Sequence, residues 1–161
     1  YNYIVDSGFA HKDKVGIMGG SYGGYMVMAG ITEYPDMFAG AANLFGVVNF
    51  ITFFEETEAW MAEISKVEYG DPETEAEMLK ALSPINKVDV VKTPTIVLHG
   101  ANDTNVPVVE AEQVVDNLKE RNIPVEYVLF PDEGHGWRKT KNKVTSTESI
   151  VNWFKKYLVD E

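Results

Sequence analysis

Apolar residues along this chain recur in two patterns, short unbroken runs and stretches with helical spacing. The runs are Val15–Met18 (VGIM), Phe38–Phe45 (FAGAANLF), Thr95–Leu98 (TIVL) and Val125–Phe130 (VEYVLF). Runs this short, bounded by turn residues and built from β-branched or small side chains, read as strands buried on both faces. Helical patterns fill the gaps. Tyr1–Phe9 reads as the last turns of a helix, with Gly8 close to its C-terminal cap. A helix-compatible run from Tyr25 to Ile31 ends near Tyr34-Pro35, where proline drives its predecessor out of the helical region. Val47–Tyr69 is rich in aromatics and acids and reads as helical, though only loosely periodic; Gly70-Asp71-Pro72 breaks it. A short helix follows over Glu73–Leu82, before Ser83-Pro84. Pro107 opens a helix at its favoured first position. Ala111, Val114, Val115 and Leu118 give that helix an apolar face, and Asn122 closes it. Thr145-x-x-Glu148 is a capping-box signature for a last helix whose buried stripe is Val151, Phe154 and Leu158. Strands alternating with helices predict an α/β fold, a parallel sheet with helices on both faces.

Length and charge narrow the classes. At 161 residues the chain is expected to be a single domain spanning 1–161, large enough for a continuous core. Acidic residues number 25 against 14 basic ones, a net charge of −11, and such a field repels phosphate backbones and anionic lipid. No nucleic acid or membrane partner is therefore expected, and the longest apolar runs are far too short to cross a bilayer. Cysteine is absent, which excludes disulfides, thiolate nucleophiles and Cys-ligated metals and fits a reducing, cytoplasmic compartment. The chain begins without Met and inside what reads as a helix, so it is expected to be N-terminally truncated.

The chemistry concentrates at the first strand. Val15–Met18 runs into Gly19-Gly20-Ser21-Tyr22-Gly23-Gly24, a Gly-x-Ser-x-Gly sequence followed directly by a helix. Strand, sharp turn and helix is the context of a nucleophile elbow. The turn strains the serine backbone, so only residues without bulk fit around it, and glycines stand at 19, 20, 23 and 24. Ser21 Oγ would stand above the sheet, with the Tyr22 amide facing a developing oxyanion. A bare Gly-x-Ser-x-Gly is common by chance and would serve equally as a plain turn, so the other strand ends decide the matter.

In a parallel sheet, functional groups gather at the carboxyl ends of strands. The third strand delivers His99-Gly100-Ala101-Asn102-Asp103, and the fourth delivers Glu133-Gly134-His135-Gly136. The order Ser, Asp, His is that of α/β-hydrolases. His135 would take the Ser21 proton and return it to the leaving group, while Asp103 fixes its tautomer and supports the imidazolium. His135 sits between two glycines, where packing has little use for an imidazole. His11 lies in a polar turn and reads as solvated, and His99 ends a buried strand, where it is expected to hydrogen-bond backbone around the Asp103 loop. Asp132 is a rival orienting acid, but it lies only three residues from His135 on the same loop, so Asp103 is the expected member. No two histidines share a helical i, i+4 spacing and thiolates are absent, so no metal and no cofactor are expected. The acids from Glu55 to Glu77 read as a solvated face.

With these residues located, the chain resembles the catalytic domain of the prolyl oligopeptidase family of serine peptidases, in the acylaminoacyl-peptidase and dipeptidyl-aminopeptidase-like branch. The resemblance rests on Gly19-Gly-Ser-Tyr-Gly-Gly-Tyr25, Ser83-Pro-Ile-Asn86, His99-Gly-x-x-Asp-x-x-Val-Pro107 and Glu133-Gly-His-Gly136, and covers nearly the whole chain. It implies an α/β-hydrolase fold, of which this chain would form the C-terminal half of the sheet, its four strands side by side. It implies Ser21, Asp103 and His135 as the triad and the Tyr22 amide as one oxyanion donor. It also implies that Asn105 holds a substrate carbonyl, and that Val106, Tyr22 and the Val47, Phe50, Phe53 region wall the specificity pocket; the alternative for Phe50, Phe53 and Trp60 is ordinary core. The second oxyanion donor would come from a loop after an earlier strand, outside this chain, and the first strand would leave a bare edge, an association hazard.

These residues raise three functional expectations. The first is a serine hydrolase that cleaves short peptides through an acyl-enzyme, releasing an N-terminal acylated or dipeptidyl unit. The second is a carboxylesterase with the same triad. The third is a fragment that does not turn over until it pairs with its missing N-terminal half or forms a homo-oligomer through the bare edge.

Overall fold

The computed structural model describes residues 1–160. Four parallel strands, β1 (Gly16–Gly20), β2 (Gly40–Leu44), β3 (Thr95–Gly100) and β4 (Val125–Phe130), lie in the order β1-β2-β3-β4. The helices are α1 (Asn2–Asp6), α2 (Tyr22–Glu33), α3 (Phe50–Glu56), α4 (Ala59–Tyr69), α5 (Ala76–Leu82), α6 (Val109–Glu120) and α7 (Thr140–Phe154). A 3₁₀ segment, Pro84–Val90, precedes β3, and a π turn, Lys155–Val159, follows α7. The fold is the α/β arrangement read from the pattern.

Period-two alternation in β2 and β3 sends side chains to both faces of the sheet, and both faces are dry. Ala41 and Val97 join Val27, Met28 and Ile31 of α2 and Val114, Val115 and Leu118 of α6 on one side. Ala42, Ile96 and Leu98 pack with Phe130 and with Trp153 of α7 on the other. Full burial of Ile31 and Leu118 makes truncation of either to Ala worth about 2–5 kcal/mol of stability. The registers Gly20↔Leu44, Leu44↔Leu98 and Gly100↔Phe130 level the strand ends, so the loops that follow all four strands open on one rim.

Several expected boundaries shift. The Val47–Tyr69 stretch is two helices, parted where the Thr57 hydroxyl donates to the Asn105 carbonyl (2.8 Å) and the Glu58 amide to that of Thr104 (3.3 Å). Helix α6 begins at Val109, so Pro107 lies just ahead of it, its carbonyl accepting the Glu110 amide at 3.0 Å. Helix α7 begins at Thr140, which places Thr145 and Glu148 inside the helix and not at its cap. The Glu133 carboxylate accepts the amides of Arg138 (3.0 Å) and Lys139 (2.9 Å), and that contact, made from the preceding loop, starts the helix early. Its inward stripe is Ser146, Ile150, Trp153 and Tyr157, together with Phe154; Val151 faces solvent at 57 % exposure. Among the described residues β1 pairs only with β2, and Met18 on it is 59 % exposed.

Candidate active site

The turn between β1 and α2 is built by close approach. A Cβ at Gly19 would lie 2.3 Å from the Gly23 carbonyl oxygen, and one at Gly24 would lie 2.6 Å from the Gly46 Cα. Only glycine fits at either place, and the backbone therefore folds tightly enough to hold Ser21 at φ 55°, ψ −119°. Such a conformation costs a non-glycine residue on the order of 1–3 kcal/mol and persists only where the surroundings hold it. The Ser21 amide donates to Leu44 O at 2.9 Å, and Ser21 O accepts the amides of Gly24 (2.9 Å) and Tyr25 (3.1 Å). Tyr22 opens α2, where the first amides have no partner within the helix, so its N–H is free to point at an anion beside Ser21.

His135 reaches this serine from the loop between β4 and α7. Its Nε2 lies 2.9 Å from Ser21 Oγ, and its Nδ1 lies 2.8 Å from Asp103 Oδ2. Gly136 at φ 91° turns the chain immediately after it. Asp103, past the end of β3, has a fully buried side chain; its Oδ1 accepts the amides of Asn105 (3.0 Å) and Val106 (2.9 Å), which leaves Oδ2 for the imidazole. With the carboxylate accepting, Nδ1 carries the ring proton and Nε2 accepts the serine hydroxyl. The structure thus brings together in one chain of hydrogen bonds three residues spread over 114 positions.

The other charged candidates fall elsewhere. His99 is buried, and its Nε2–H donates to Val106 O at 2.8 Å, with Asp103 Oδ2 3.5 Å away. Burial pushes its pKa down and keeps the ring neutral. Asp132 accepts from Lys139 Nζ at 2.6 Å and Asn142 Nδ2 at 2.9 Å, and the Lys139 contact holds its carboxyl below the usual range. His11 is exposed.

The apolar candidates are more closed than expected. Val47, Phe50, Phe53 and Val106 are each under 5 % exposed and form a single packed cluster with Leu79. Tyr69, at the end of α4, covers them. Its ring stacks on Tyr22 (6.1 Å, 8° between planes) and lies 5.0 Å from Phe50 and 6.0 Å from Phe53. Asn105 lines a separate polar cavity of about 460 Å³ with His135, Asn102 and Arg138. Two residues at this rim were not singled out from the sequence. Tyr69 offers only its place just before the Gly70-Asp71-Pro72 break. Phe45 offers no local signal at all. It follows β2 at φ 41°, a rare conformation for an aromatic residue, and its ring lies 4.9 Å from the His135 imidazole and 5.3 Å from Trp137.

Comparison with known proteins bears on the same geometry. Residues 1–161 match the prolyl oligopeptidase family. The chain belongs to that family. Its sequence is 40% identical over 146 residues to dipeptidyl aminopeptidase BIII of Pseudoxanthomonas mexicana, covering 87% of this chain and 21% of that enzyme. It is 31% identical over 166 residues to the acylamino-acid-releasing enzyme of Arabidopsis thaliana, covering 97% and 21% respectively. A puromycin-hydrolyzing peptidase of Mycobacterium tuberculosis superposes with a TM-score of 0.92 at 29% identity, over 99% of this chain and 24% of that one. This prolyl oligopeptidase family chain therefore spans about a fifth of the length of the relatives it matches, and that fifth contains the whole Ser21–His135–Asp103 cluster.

Proposed function

We propose that this chain carries the reaction centre of a serine peptidase that cleaves short peptides and releases an N-terminal dipeptidyl or acylated unit. The observation that carries the reading is the continuous path Ser21 Oγ to His135 Nε2 (2.9 Å) and His135 Nδ1 to Asp103 Oδ2 (2.8 Å). His135 takes the Ser21 proton as Oγ attacks the scissile carbonyl, and the Tyr22 amide faces the oxyanion that forms. The imidazolium, paired with Asp103, then gives the proton to the leaving amine as the C–N bond breaks, leaving an acyl-enzyme on Ser21. Water, deprotonated by His135, releases the acyl group and restores the serine. Dipeptidyl and acylamino-acid release are the activities named for relatives at 40% and 31% identity, which favours these groups on the acyl side. Asn105, beside His135, is suited to hold a substrate carbonyl.

Labelling with a fluorophosphonate, located by mass spectrometry, tests this. Modification at Ser21 is expected, falling by roughly 10²–10⁴-fold in His135→Ala through loss of the general base. Labelling elsewhere, or equal labelling of the variant, would overturn it. Faster turnover of p-nitrophenyl esters than of acyl-amino-acid anilides, beyond their intrinsic difference in reactivity, would instead make the chain a carboxylesterase.

The open edge of β1 favours a second reading, in which full turnover requires another segment or another copy paired along that strand. Gel filtration with activity measured across the peak separates the two: activity confined to an oligomeric fraction supports pairing, and full turnover by a monomer excludes it.

A further inference from the structure

Glu110, in the first turn of α6, is a glutamate with no exposed surface. Its Oε2 accepts the amides of Val48 and Asn49, each at 2.8 Å, and its Oε1 accepts the Thr52 hydroxyl. The network closes on itself. Gln113 Nε2 donates to Thr52 Oγ1 at 2.9 Å, and Asn49 Nδ2 donates to Gln113 Oε1 at 2.9 Å. Among the described residues no cation pairs with this carboxylate; burial pushes its pKa up, and the hydrogen bonds from Thr52, Val48 and Asn49 oppose the rise.

A buried carboxylate is a poor way to hold a helix against a sheet. Helix α6 already has Ala111, Val114, Val115 and Leu118 for that purpose. What Glu110 adds is location. Its donors at 48, 49 and 52 belong to one short stretch, and the residues interleaved with them, Val47, Phe50 and Phe53, belong to the apolar cluster beneath Tyr69. We infer that Glu110 is a positioning residue that fixes the turn from Val47 to Thr52 and thereby sets which acyl group the site accepts, without touching the Ser21–His135 chemistry. The inference rests on the proposed serine hydrolase reading and on the link from this cluster through the Tyr69 ring to Tyr22, the residue after Ser21, which puts it beside the acyl group.

The test compares two probes on wild type, Glu110→Ala and Glu110→Gln: a small alkyl fluorophosphonate, and a phosphonate ester carrying a phenylalanine side chain. Glu110→Ala leaves two buried amides unpaired, so the aromatic probe is expected to label about tenfold more slowly while the small probe stays within about twofold. Gln keeps an acceptor oxygen for the amides and an NH₂ for Thr52, and should restore the aromatic probe. Hydrogen exchange across residues 45–53 should quicken in Glu110→Ala alone. Equal slowing of both probes, or no change in either, overturns the inference. Should wild type label with neither probe, the hydrolase reading fails, and unchanged exchange in Glu110→Ala then overturns the positioning role as well. If Glu110→Ala does not fold, Thr52→Val removes one partner while leaving both amides paired; a loss confined to the aromatic probe is expected, and its absence counts against the inference.

Discussion

Two regions meet at Ser21 and are built on opposite principles. The Ser21–His135–Asp103 side consists of short loops at strand ends, shaped by glycines at 19, 24 and 136 and tied down by backbone hydrogen bonds. The neighbouring region, residues 47–82 between β2 and β3, consists of three helices, of which α3 and α4 pack aromatic rings on one another while Glu110 of α6 holds the turn into α3. The first region holds Ser21, His135 and Asp103 within hydrogen-bond reach of one another. The second sets shape. Rate and selectivity should therefore separate under mutation.

The largest break expected is on the first side. Asp103→Asn keeps the shape but reverses the hydrogen bond to His135 Nδ1, which disfavours the working tautomer. Labelling of Ser21 should fall by about 10⁴-fold with no loss of melting temperature. A fall of less than tenfold would mean that Asp103 is not the orienting acid. Next comes Tyr69→Ala, which strips the cover from Phe50, Phe53 and Tyr22. It should lower stability by about 1–3 kcal/mol in denaturant titration and change the ratio of large to small acyl probes, while the small probe keeps its rate. If the small probe slows in step, the two regions are not separable.

The smallest effect concerns pH. The folded-state pKa of His99 lies below its unfolded value, because burial disfavours the imidazolium. The unfolded chain therefore binds the extra proton more readily, and the stability that His99 contributes is present above the unfolded pKa and is lost as pH falls below it. Thermal melts from pH 7.5 to 5 should fall more steeply for wild type than for His99→Asn, by an amount on the order of a few degrees. Parallel curves would show that another group carries the slope.

The same contrast governs what could be read without coordinates. A glycine cluster, a histidine between glycines and an aspartate past a β-branched run are local signals, and they led to Ser21, His135 and Asp103. All four strands were legible as short runs rich in apolar or small residues between turn signals, even β4 with its exposed Glu126. Glu110 and Phe45 were not legible because their partners are distant in sequence, and the early start of α7 was not because it depends on a side-chain contact that no local pattern announces. Glu110 is 62 residues from Val48. The carboxylate that begins α7 sits in the preceding loop, and nothing around Phe45 announces that its backbone will adopt φ 41°. Val151 reads as inward by its spacing from Phe154 and Leu158, but the packed stripe runs one residue away, through Ile150, Trp153 and Tyr157, and Val151 turns outward.

Strand order has a consequence in time. Because β1, β2, β3 and β4 lie in the sheet in the order in which they are made, each can settle beside its predecessor as the chain leaves the ribosome. Ser21 takes its place with the first strand, and its base arrives 114 residues later, behind the last. Until then Ser21 stands without the imidazole that would take its proton. On this topology Ser21, His135 and Asp103 come together only once β4 and the loop behind it are in place.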